Sequence, residues 1–204
     1  MPRGVPKDPG RRQRRVERTR EQLLDAAHAL FLERGYHPVV LSDVSARADL
    51  GTGTLYLHYR DKHEIYEALA RRHLASMRAR WIERAQSETD AREQVLLMVE
   101  VAIAYFAEHR AEARLFLLEG PAVESWLVEE VGRAIAAILT SLRQPELAAH
   151  LLIGAALGAG RFMLQQPDRG IDRKFMAGAI DFCRAGLVAL EAAQSSPRRR
   201  RKAR

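Results

Sequence analysis

Apolar residues recur at three- and four-residue spacing in segment after segment of this chain, and no stretch keeps a two-residue alternation. That pattern predicts an all-α fold with no sheet. Leu23, Ala27, Leu30 and Phe31 share one helical face. Thr19-Arg20-Glu21-Gln22 has capping-box spacing before them, and Gly35 suits a left-handed stop, so the first helix is expected over about residues 20–34. Leu41, Val44 and Ala48 mark a short helix, broken at Asp49-Leu50-Gly51. Another short helix starts near Thr52, with Leu55 and Tyr59 on its inner face. Two short helices joined by a tight turn after a longer one form a helix-turn-helix. A long helix opens near Lys62.

The rest of the chain reads as further helices. They are expected within 91–109, at Leu115 to Leu118, from Val128 to Leu142, from Leu147 to Gln166 and from Phe175 to Ala193. The longest fully apolar run, Leu151 to Gly160, is half of what a bilayer crossing needs, so no membrane segment is expected. No apolar signal core follows the N-terminus, which points to the cytoplasm. The single cysteine, Cys183, excludes an internal disulfide. Seven histidines form no metal motif: after His63-Glu64, a zinc-protease pattern needs a histidine where Glu67 stands. No cofactor, metal or catalytic constellation is therefore expected.

Charge is uneven. The chain carries +7, yet residues 1–20 alone carry +6 and residues 195–204 another +6, which leaves the body at −5. Basic ends on an acidic body point to a polyanion, nucleic acid first. The division expected is a disordered basic arm over 1–18, a helix-turn-helix domain over 19–66, a second helical domain over 67–194 and a basic disordered tail over 195–204.

Residues 19–69 resemble the DNA-binding domain of the tetracycline-repressor-like (TetR) family of bacterial regulators. The resemblance rests on Thr19 to Ala27, Leu30 to Tyr36, Asp43 to Ala48 and above all Gly51-Thr52-Gly53-Thr54-Leu55-Tyr56-Leu57-His58-Tyr59-Arg60-Asp61-Lys62. Small and polar groups at the start of the second short helix suit a major groove: Thr52 and Thr54 offer hydroxyls and methyls, and Gly53 permits close approach. Tyr56 and His58 are polar-tipped and can reach DNA. The resemblance implies phosphate contacts for Tyr56 and Lys62. Arg14, Arg15 and Arg18 are read as an arm entering a minor groove. Val39-Val40 depart from the family's usual threonine pair, so either Ser42, counted with the DNA-facing residues, caps a shortened second helix or the start of that helix is weak. Asp49 replaces the usual turn glycine and Gly51 the usual capping serine.

One helix-turn-helix reads too few bases for selectivity, so a homodimer on a near-palindromic operator is expected. The last two long helices, with Gly154, Gly158, Gly178, Cys183 and Gly186 as close-approach positions, are the candidate interface, and Gly160 shares that spacing. Met77, Trp81, Met98, Phe106, Phe116, Trp126 and Phe162 are the candidate lining of an effector pocket, which favours a flat or flexible apolar ligand. The resemblance implies a repressor released by that effector. A sequence-tolerant architectural DNA binder and an activator on the same fold are the alternatives.

Overall fold

The structure is a computed structural model that describes residues 9–121, 124–166 and 173–195. Among these the elements are helical throughout: α1 (Pro9–Arg34), α2 (Leu41–Arg47), α3 (Thr52–Tyr56), α4 (Lys62–Ala85), α5 (Ala91–Glu108), α6 (Arg110–Arg114), a π-helical turn (Leu115–Glu119), α7 (Glu124–Ile138), α8 (Pro145–Leu164) and α9 (Arg173–Ser195). The chain divides into two compact units, Met1–His73 with Glu119–Pro121, and Leu74–Leu118 with Ala122–Arg204. The boundary falls inside α4, seven residues after the one read from the sequence.

The first unit is built around α1. Leu23, Ala27, Leu30 and Phe31 are buried, as are Val39, Val44, Leu55, Tyr59, Ile65 and Leu69 of the following elements. Phe31, Tyr36 and Tyr66 form a ring cluster with centroids 5.0–6.5 Å apart. Gly35 stops α1 at φ +78° and donates its N–H to Phe31 O at 2.9 Å, as its lack of a Cβ allows.

The start of α1 overturns an expectation. The helix runs through Thr19 back to Pro9, so residues 9–18 are helical and not a disordered arm. Between Arg11 and Arg34 there is neither proline nor glycine, and arginine and glutamine are good helix formers. Nothing obliges the helix to begin at Thr19. Gln22, freed from capping, donates its Nε2 to Ala48 O at 2.7 Å and ties α1 to the helix-turn-helix turn. Residues 1–8 and 196–204, where the rest of the arm and nearly all of the tail fall, lie outside the described residues.

In the second unit α5, α7, α8 and α9 pack around Val95, Val99, Ile103, Phe106, Ile135, Leu139, Leu152, Ala156 and Leu187. Asp90 caps α5 by accepting the N–H groups of Arg92 and Glu93, which holds its carboxyl below the usual range. Arg184 pairs with Glu93, and Arg92 with Glu191 at 3.0 Å, joining α5 to α9. Helix α8 is long and apolar enough to cross a membrane by length and composition, but half of that stretch is buried inside the structure.

Candidate nucleic-acid interface

The second and third helices hold a polar surface on an apolar base. Val44 and Leu55 are fully buried, and Ser45 is buried with them. The Ser45 hydroxyl donates to Ser42 O at 3.0 Å and lies 3.3 Å from the Thr52 hydroxyl, bonding α2 to the start of α3. Asp49 supplies the turn at φ +53°, a left-handed conformation that aspartate tolerates better than most residues. Gly51 is the N-cap of α3.

Ser42 does not cap α2. The N-cap is Val40, and Ser42 sits exposed at the second helical position. Valine has no acceptor, so only the reciprocal half of a capping box forms: Asp43 accepts the Val40 N–H at 3.2 Å.

Thr52, Gly53 and Tyr56 are exposed on α3; Thr54 and His58 are half-buried. A Cβ added at Gly53 meets nothing within 4 Å, so the subunit's own packing does not demand glycine there. Leu57, absent from the residues expected to face DNA, is 84% exposed beside Tyr56. The signal for it in the sequence is its phase, next to Tyr56 and off the Leu55–Tyr59 stripe. Tyr59 fixes the far end of this segment to α1: Arg20 lies over its ring at 5.0 Å and its hydroxyl donates to Arg20 O at 3.5 Å.

Lys62 is engaged with the protein. Its Nζ donates to Tyr36 O and His37 O, both at 2.9 Å, and lies 4.3 Å from the centre of the Tyr36 ring. Partial burial lowers its pKa. The start of α4 is thereby clipped to the turn after α1, and Asp61 and Glu64 cap it by accepting the N–H groups of Glu64 and Arg60. Lys62→Met is expected to cost about 1 kcal/mol and lower the melting temperature by about 2–4 °C. It should leave the salt dependence of DNA binding unchanged. A direct phosphate contact would instead reduce the slope of log affinity against log salt by about 0.9 per lysine.

Residues 23–69 match the family model described as bacterial regulatory proteins, tetR family. Over 192 residues the chain is 30% identical to the transcriptional activator FasR of Mycolicibacterium smegmatis, covering 87% of this chain and 86% of that protein. The chain belongs to the TetR family. It is a DNA-binding transcriptional regulator. The transcriptional repressor NemR of Escherichia coli is 32% identical over 92 residues, 45% of this chain and 46% of that protein. Among solved structures, the regulator FadR from Bacillus subtilis in complex with stearoyl-CoA has the same fold, with a TM-score of 0.62 at 19% identity over 84% of this chain and 97% of that one. Regulators of this family bind DNA operators and typically dimerise and respond to small molecules.

The second unit places the remaining candidates of this TetR-family chain unevenly. Phe106 is in its core, with Met77 and Met98 packed against that core. Trp81 is half-buried and donates its Nε1 to Gln94 O at 2.9 Å. Phe116, in the π turn, and Trp126, on α7, are half-buried. Phe162 departs from the expected lining: it is 48% exposed and stacks on Phe175 at 5.9 Å. Its phase on α8 explains this. Leu147, Leu151, Gly154, Gly158 and Phe162, spaced by three and four, form one outward stripe.

Gly178, Phe182 and Gly186 are likewise exposed on α9. A Cβ at Gly154, Gly158, Gly178 or Gly186 meets nothing within 4 Å. Cys183 does not share that face. It points into the subunit's own core, where burial raises its thiol pKa. Gly160 also serves internal packing, because its Cβ would come 2.8 Å from Leu117 and Phe106.

Proposed function

We propose that this regulator is a repressor that binds a near-palindromic operator as a homodimer and releases it on taking up a small, largely apolar effector. It would work in the cytoplasm, where its DNA is, and not as an enzyme. The observation that carries the DNA-reading part is the outward surface of α3, where Thr52, Gly53, Tyr56 and Leu57 are exposed over buried Leu55 and Tyr59. Hydroxyls can bond base edges or phosphates, and the Leu57 side chain suits a thymine methyl. The space beside Gly53 suits close approach of the duplex.

Two subunits would set their α3 helices about 34–36 Å apart, one turn of DNA or a multiple of it. The outward stripes of α8 and α9 are the surface proposed for dimerisation. The effector would lie among Met77, Trp81, Met98, Phe116 and Trp126, with Phe106 beneath. Because FadR is known with stearoyl-CoA, acyl thioesters are the first class to test. A relative named as an activator supports a second reading, activation from the same site geometry.

The test is selection of bound duplexes from a random pool at about 150 mM salt, where non-specific binding is already weakened. A near-palindromic consensus is expected, with a preference of at least about 1,000-fold over random duplex. Recovery without a consensus would support the architectural reading instead. Release of the selected duplex by an acyl-CoA, and not by free CoA, would identify the effector class.

A further inference from the structure

We propose that the overhanging start of α1 is a phosphate-binding ridge that grips the duplex outside the bases read by α3. The proposal rests on the DNA-binding reading of α3. Arg11, Arg14, Arg15 and Arg18 stand at i, i+3, i+4 and i+7, which places all four on one helical face. All four are exposed. Their face is opposite the one that carries Leu23, Ala27 and Leu30 into the core. Even Val16, on the core side of the helix, is 41% exposed, so this part of α1 projects past the domain it belongs to.

The base of the projection is fixed. Arg20 packs on Tyr59, three residues beyond the end of α3. The arginine stripe therefore begins within one helical turn of the contact that holds the recognition segment. From Arg11 to Arg18 the helix rises about 10 Å, the axial rise of about three successive phosphates on one strand. Like charges at three- and four-residue spacing repel one another and weaken a helix. A polyanion lying along the stripe removes that cost.

Width decides how the arginines meet the duplex. A minor groove is about 6 Å wide, whereas a helix with its side chains is about 10–12 Å across. A helical Pro9–Arg18 cannot enter that groove as an extended arm can. Its guanidinium groups meet phosphates from outside, bidentately where geometry allows. Such contacts position the protein and carry no base information. This replaces the minor-groove reading of Arg14, Arg15 and Arg18.

The experiment uses the full chain and the duplex selected above. Wild type is compared with the fourfold variant Arg11→Gln, Arg14→Gln, Arg15→Gln and Arg18→Gln, which removes the charges and keeps helix propensity. Each is titrated on the bare pair of half-sites and on the same duplex with random flanks of about five base pairs. Wild type should bind the flanked duplex more tightly, and the variant should lose that gain. The slope of log affinity against log salt should fall by about 3–7 for a dimer, at about 0.9 per phosphate released. The consensus recovered by the variant should be unchanged. An unaltered slope with no gain from flanks overturns the ridge, as does a shifted consensus, which would mean the arginines read bases. Failure of wild type to select any duplex defeats the DNA-reading proposal itself, and is distinct from both.

Discussion

Placing a glutamate at Leu151 and at Phe182 should leave the protein monomeric and reduce operator affinity by at least about 1,000-fold, to the level of random duplex. The two side chains are 58% and 74% exposed in the subunit, so neither charge disturbs its internal packing. They lie on the outward stripes of α8 and α9, and a two-fold interface brings each patch against its own copy or its neighbour. Four carboxylates would then share one apolar surface, at a cost no exposed partner offsets. Without the second subunit a single α3 reads one half-site, and the preference that separates operator from bulk DNA is lost. Sedimentation at micromolar protein and titration of the selected duplex check the two halves. Since many such dimers have no stable lone subunit, Gly158→Leu is the companion variant. Its side chain points into open space in the subunit and collides only with a partner. Dimers of both variants with wild-type operator affinity would sink this interface.

The helical content and the helix-turn-helix were legible in the sequence because they depend on residues near one another in the chain. Apolar spacing marks the buried face of each helix, and the two left-handed positions, Gly35 and Asp49, stand where local turn chemistry places them. What stayed hidden depends on distant partners or on phase. Lys62 finds its acceptors 25 and 26 residues upstream, in the turn after α1, and no local pattern announces them. Phe106 and Phe162 are equally apolar, yet one is core and the other faces out, since composition ranks them alike and only the phase of each helix separates them. The π turn at Leu115–Glu119 widens the helix locally, so the short helix expected there continues α6 in a different register. Thr19 has good capping spacing, but a cap ends a helix only where the preceding residues prefer another conformation.

Truncating Tyr59 should be the most damaging single change in the first unit. The ring is 1% exposed and fills the space between α1 and the segment after α3. Burial also raises its phenol pKa, and the hydroxyl donates to Arg20 O. Tyr59→Ala leaves a cavity where the recognition segment meets α1 and should cost about 3–5 kcal/mol. In a chain of this size that is a fall in melting temperature of roughly 6–20 °C. Tyr59→Phe keeps the ring and the Arg20 contact and gives up only a long hydrogen bond, so it should lose less than about 1 kcal/mol. Operator affinity should follow the same order, because the ring, rather than the hydroxyl, holds the end of α3 in place. Differential scanning calorimetry on the two variants, with duplex titration below their melting points, separates these contributions. Equal loss in both would shift the weight to the hydrogen bond and count against packing as what positions the recognition helix.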